Sequence, residues 1–92
     1  MGTEIFSELF DVIMDRIEHP REGSYVCRLI SEGKAAEKIR EESEELTDAA
    51  AGGSRSEIIH EAADLLFHLM VLIAEKGVTI DDVANELRRR RR

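Results

Sequence analysis

The stretch EKIREESEELTDAAAGGSRSEIIHEAADLLFHLMVLIAEKGV, from Glu37 to Val78, is two helical patterns parted by Gly52-Gly53. From Lys34 to about Ala51, a weak apolar stripe (Ala35, Ile39, Leu46, Ala49, Ala50) runs beside a dense acidic face. After the glycines, Ser54 and Glu57 stand at the three-residue spacing of a capping box, and a second helix runs to about Lys76 before Gly77. Its later part, Leu65 to Ala74, is apolar on every side except at His68. One helix presents only a stripe to its own chain, so a second chain is expected to cover the remainder. A turn as tight as Gly52-Gly53 sends the second helix back along the first. The expected fold is therefore all-α: an antiparallel helical hairpin with flanking helices, dimerising into a helix bundle.

The flanks carry the same kind of punctuation. Thr3 is placed to cap a helix with Ile5, Phe6, Leu9, Phe10, Val12, Ile13 and Ile17 at three- and four-residue steps, ending before Pro20 and Gly23. Ser24 starts a short helix with Tyr25, Val26, Leu29 and Ile30, and Gly33 is placed to close it. Thr79 and Asp82 repeat the capping spacing before a last helix whose inner face is expected at Val83 and Leu87. Ninety-two residues with one Pro and six Gly suit a single all-α domain over residues 1–92 and argue against a β-sandwich or a disordered chain. The single cysteine, Cys27, closes no intramolecular disulfide, and no secretory leader opens the sequence, so a cytoplasmic setting is expected. Ten uncharged residues in a row fall well short of a bilayer span, so no membrane partner is expected.

Charge narrows the chemistry. Five of the 13 bases form the tail Arg88 to Arg92, leaving eight bases against 20 acids in the preceding residues. Such a body repels nucleic-acid phosphates, so no nucleic-acid partner is expected, and work on a phosphate compound would need a cation. The tail itself reads as the charge-complemented end of a helix.

Nine of the 20 acids lie between Glu37 and Asp64. Residues three or four apart share a helix face, so Glu41 or Glu42 with Glu45 makes one patch and Glu61 with Asp64 another. In an antiparallel hairpin, level residues are equidistant from the turn. The pairs Glu45/Glu61 and Glu42/Asp64 are both centred on Gly53, so one register sets both level. At roughly 1.5 Å rise per residue the two rungs stand about 4.5 Å apart, which lets four carboxylates converge on one or two divalent ions. An all-oxygen set of this kind suits Mg²⁺, commonly shared between carboxylates and substrate phosphates. The plainer alternative is a solvated acidic face with no ligand.

Other residues carry less. Glu57 and His60 match the Glu-x-x-His spacing of di-iron bundles, a short and common pattern. His68 reads as a satisfied core or interface histidine, and Tyr25, after Gly23-Ser24, as either the mark of a ligand-facing turn or a ring packed over a helix end. Cys27 lacks a nucleophile's surroundings, and no catalytic triad, phosphate-cradling loop or zinc spacing is present.

Glu41-Glu42-Ser43-Glu44-Glu45 followed by Glu61-Ala62-Ala63-Asp64 resembles the EExxE…ExxD pattern of the all-α, MazG-like nucleoside triphosphate pyrophosphohydrolases. Gly23-Ser24-Tyr25, the segment Glu61 to Val78, and the closing helix with Asp82, Val83 and Leu87 resemble the phosphoribosyl-ATP pyrophosphohydrolase branch. The resemblance spans most of the chain. It implies hydrolysis of phosphoribosyl-ATP to phosphoribosyl-AMP and pyrophosphate in histidine biosynthesis, Mg²⁺ dependence and a homodimer. It also implies that Glu42, Glu45, Glu61 and Asp64 are metal ligands, with Glu41 an adjacent acid that orients water, so that Glu41 and Glu42 carry the catalysis. The segment between Gly33 and Glu41 is about two residues shorter than the family's, with Arg40 in place of a glycine and Glu37 in place of a lysine, while Lys38 fits. Arg16, Arg28, Lys34 and Lys38 are the bases available to hold substrate phosphates. Two alternatives stand beside this reading: a house-cleaning pyrophosphatase for ordinary or damaged nucleotides, and a non-enzymatic dimeric helical interaction module.

Overall fold

In a computed structural model, which describes residues 2–91, five helices follow one another: α1 (Glu4–Glu18), α2 (Tyr25–Glu32), α3 (Ala35–Gly52), α4 (Arg55–Glu75) and α5 (Ile80–Arg90). The described residues form no strand. Arg92, the last residue of the expected basic tail, and Met1 lie outside the described residues.

Local chemistry explains most of the boundaries. Ser54 Oγ accepts from the Glu57 amide while the Glu57 carboxylate accepts from the Ser54 amide, and Thr79 and Asp82 make the same reciprocal pair at the start of α5. Ser24 Oγ accepts the Cys27 amide to cap α2. Gly33 closes α2 in the left-handed region at φ 65°, where its amide reaches Ile30 and the next amide, of Lys34, reaches Leu29. Gly53 is required for a different reason: its φ is −91°, but a Cβ there would stand 2.9 Å from the Ala49 carbonyl oxygen.

Thr3 departs from expectation. It occupies the N-cap position of α1, but its hydroxyl makes no capping bond. Its ψ of 0° is not the extended geometry that aims a side-chain oxygen at the first turn.

The core is built from Phe10 and Ile13 of α1, Val26 and Leu29 of α2, Ala35 of α3, and Met70, Val71 and Ala74 of α4. The most extensive packing is between α3 and α4, and α1 packs against α4, α2 and α5. Three of the seven residues of the α1 stripe stay outside, with Ile5, Phe6 and Val12 exposed. Val83 and Leu87 do not form an inner face. Both are exposed and α5 buries no residue, because it touches the rest of this chain only lightly, with Ile80 half-buried against the core. On α4, Ile59, Leu66 and Leu69 are likewise exposed. At the end of α5, Arg89 and Arg90 pair with the Glu86 carboxylate, giving the charge-complemented helix end read from the tail. No helix among the described residues is long and apolar enough to cross a membrane.

Candidate active site

The inner line of α3 is Ala35, Glu42 and Ala49, each seven residues from the next, so a carboxylate occupies a place where a core side chain would stand. Small neighbours on that line let α3 approach α4 closely. Glu42 is 8% exposed, and its Oε1 lies 2.6 Å from Nδ1 of His68 on α4. That nitrogen is also 2.9 Å from the carbonyl oxygen of Asp64, one turn earlier on α4. The ring N–H points at the carbonyl, so Glu42 Oε1 receives no aligned hydrogen bond despite its proximity. Burial pushes the Glu42 carboxyl above the ordinary carboxylate range, with the charges of Asp64 and Glu45 adding to the rise and His68 opposing it.

Glu61 repeats the condition. Its Oε1 is buried without a partner, and burial, then a hydrogen bond and charge from Glu45, raise its carboxyl. The carboxylates of Glu42, Glu45, Glu61 and Asp64 therefore sense one another across two helices. His60 Nε2 lies 3.3 Å from Asp64 Oδ2, and His60, Glu61 and Asp64 each offer a ligand atom within 4.8 Å of the others. Beside them, Glu45, Asp48, Glu57 and Glu61 line an open cavity of about 380 Å³ at the Gly52-Gly53 end. Glu57 does not make the di-iron pattern with His60, because its carboxylate is committed to the α4 cap and the Ser54 amide pulls its pKa down.

The remaining predicted residues are not all gathered at this cluster. Glu41 is exposed and pairs with Lys38, Nζ to Oε2 3.5 Å. The Lys38 ammonium is raised above its ordinary pKa by Glu41 first, with Tyr25 and Glu42 contributing. Arg28 lies over the Tyr25 ring, 5.2 Å from its centroid. Arg16 is drawn to Asp15 at 2.9 Å and, with Arg21, Arg28, Ser24 and Cys27, lines a cavity of about 510 Å³ between the end of α1 and α2. The Cys27 thiol donates to the Arg16 carbonyl at 3.3 Å and helps close this corner. Lys34 is exposed at the start of α3, and no ion pair among the described residues ties it to the cluster.

Two features were missed by sequence reasoning. The depth of Glu42 was signalled by its seven-residue spacing from Ala35 and Ala49. The link from His68 Nε2 to the Tyr25 hydroxyl, 2.8 Å across 43 residues of chain, had no local signal.

Residues 6–91 match the family described as phosphoribosyl-ATP pyrophosphohydrolase. The chain is 47% identical over 91 residues to a phosphoribosyl-ATP pyrophosphatase of Methanococcoides burtonii, covering 95% of this chain and 92% of that one. It is 46% identical to one of Saccharolobus islandicus and 44% to one of Saccharolobus solfataricus, in both cases over the full length of both chains. Similarity of this extent, joined to the paired acidic clusters on α3 and α4, shows that the chain belongs to the phosphoribosyl-ATP pyrophosphohydrolase family.

Proposed function

We propose that this chain carries out the reaction for which its relatives are named. It is a hydrolase of a phosphoanhydride, splitting phosphoribosyl-ATP into phosphoribosyl-AMP and pyrophosphate in histidine biosynthesis. The observation that carries the site is the buried Glu42 carboxylate with an oxygen that no hydrogen bond satisfies.

A buried carboxylate oxygen without an aligned hydrogen bond is costly, and Oε1 of Glu61 has the same defect as Oε1 of Glu42. Oxygen donors crowded to mutual repulsion fit a hard divalent cation, and Mg²⁺ is the one that shares carboxylates with substrate phosphates. Glu42, Glu45, Glu61 and Asp64 would hold it. Bound there, Mg²⁺ supplies a lowered pKa for water and neutralises charge on the phosphates. The chain's own groups do the rest. Glu41, exposed beside the cluster, orients the water that attacks the anhydride. Lys38, already beside Glu41 and Glu42, holds substrate phosphate, with Arg28, Arg16 and Lys34 farther out.

The architecture of the reading is an antiparallel α3–α4 hairpin within a single domain over residues 1–92, dimerising into a bundle in the cytoplasm. The hairpin is supported by the influence of Glu45 on the Glu61 carboxyl and by the Glu42–His68 contact, which fall progressively farther from the Gly53 turn on both helices. The homodimer is supported by the apolar side chains that this chain leaves uncovered on α4 and α5.

The test is a substrate panel. Pyrophosphate release from phosphoribosyl-ATP should exceed release from ATP, dCTP and dUTP by orders of magnitude; equal or greater release from the simple nucleotides would assign the house-cleaning activity instead.

A further inference from the structure

The Glu42 carboxylate is braced by a chain of side chains that begins on α2. Tyr25 opens that helix, directly after its Ser24 cap. Its ring stacks on Phe67, centroids 5.9 Å apart and planes 16° from parallel, and meets His68 edge-on at 5.6 Å. Phe67 meets His68 in the same edge-on manner at 5.1 Å. The imidazole is thus fixed in an aromatic slot, with only 6% of its side chain exposed.

Both ring nitrogens are engaged. Nδ1 faces the Asp64 carbonyl at 2.9 Å, and a main-chain carbonyl only accepts, so Nδ1 carries the hydrogen. Nε2 is then an acceptor, and the Tyr25 hydroxyl, 2.8 Å away, donates to it. The same Nδ1 edge of the ring lies 2.6 Å from Glu42 Oε1. Rotation of the imidazole about its bond to Cβ would replace the Nδ1 edge by a carbon edge against that carboxylate and break the bond to the Asp64 carbonyl. The phenol opposes this rotation by bonding the opposite corner of the ring. An outer contact of this kind sets the orientation of a ligating group without touching the ion.

We propose that Tyr25 is a positioning residue: through His68 it holds the Glu42 carboxylate in the orientation that the carboxylate cluster needs to bind a divalent cation. The proposal rests on the reading of Glu42, Glu45, Glu61 and Asp64 as the metal-binding set. Tyr25 itself is more than a third exposed and lies at the edge of the slot, so removal of its hydroxyl leaves the stacked ring and the core in place.

The test is Mn²⁺ binding to the protein without substrate, followed by electron paramagnetic resonance, for the parent, Tyr25→Phe, His68→Asn, their combination, and Glu42→Gln. Tyr25→Phe should fold with the parent's helicity and bind Mn²⁺ about tenfold more weakly, at the lower end of the effect of removing an outer contact. Nitrogen-15 spectra of His68 should show one N–H nitrogen at Nδ1 and one bare nitrogen at Nε2 in the parent, and averaged signals in Tyr25→Phe. With His68→Asn already present, Tyr25→Phe should weaken binding no further, because the link it acts through is gone. Parent-like affinity in Tyr25→Phe alongside weakened Glu42→Gln would overturn the positioning role and leave the metal site standing. Parent-like affinity in Glu42→Gln would overturn the metal site and the proposal with it. A full further tenfold loss on adding Tyr25→Phe to His68→Asn would show that Tyr25 acts by another route and overturn the proposal.

Discussion

Oε1 of Glu42 lies 2.6 Å from Nδ1 of His68, with both side chains nearly closed to solvent, yet the ring hydrogen is directed at the Asp64 carbonyl. A carboxylate in that position opposes folding while it is ionised and uncompensated. Its retention inside the α3–α4 contact is understandable if a ligand compensates it.

Glu42→Gln in metal-free protein should therefore fold and be at least as stable as the parent, with a gain of up to about 1 kcal/mol once solvent screening is allowed for. Mg²⁺ at 100 times its dissociation constant should stabilise the parent by about 2.7 kcal/mol, and that gain should disappear in Glu42→Gln. Thermal melts with and without Mg²⁺ check both. A variant several degrees less stable than the metal-free parent would show that the carboxylate is a structural anchor instead.

The pH dependence of metal-free stability follows from the directions of the shifts. Glu42 and Glu61 have raised pKa values in the fold, so they favour folding most below the ordinary carboxylate value of 4.5, and this contribution is lost as pH rises through their raised values. Glu57 and Glu86 are lowered, by the Ser54 amide and by Arg89 respectively, so their contribution is present above 4.5 and lost as pH falls through their lowered values. Stability of the metal-free protein should pass through a maximum near the ordinary carboxylate pKa and decline toward neutrality. Denaturant midpoints across pH should show the decline on the neutral side becoming shallower in Glu42→Gln.

How far this was legible from sequence differs by element. The starts and stops of α2, α4 and α5 were readable because Ser24, Gly33, Ser54 with Glu57, and Thr79 with Asp82 act within three or four residues of the bonds they make. Thr3 failed because a cap needs an extended backbone as well as a hydroxyl. The acids Glu42, Glu45, Glu61 and Asp64 could be grouped from spacing alone. Which of them is buried could not, since that depends on which stripe of α3 meets α4. The Tyr25–His68 bond joins residues 43 apart and exists only after α2 has docked. Val83 and Leu87 were assigned to an inner face because apolar periodicity marks a face to be covered without saying by which chain.

Gly53→Ala should destabilise the protein by about 1–3 kcal/mol, because the new methyl would stand 2.9 Å from the Ala49 carbonyl, a main-chain atom that cannot swing aside. Gly52, with open space where a Cβ would be, should accept alanine with little loss. Chemical denaturation of the two variants side by side separates close approach from general turn flexibility.

Leu66→Lys and Leu69→Lys place charge on the exposed apolar side of α4 while leaving Met70 and Val71 of the core untouched. Sedimentation equilibrium should show the parent as a dimer and the double variant shifted to monomer. A parent that sediments as a monomer would mean that these side chains are ordinary surface and that each site is completed within one chain.

The most direct measurement is pyrophosphate release from phosphoribosyl-ATP by the purified protein with Mg²⁺, repeated with EDTA and with Glu42→Gln. Release should be abolished by EDTA and should fall by at least about a hundredfold in Glu42→Gln, the scale for losing a group that stabilises the transition state. Release that persists at the parent's rate in Glu42→Gln, or no release from a folded parent, would contradict this reading.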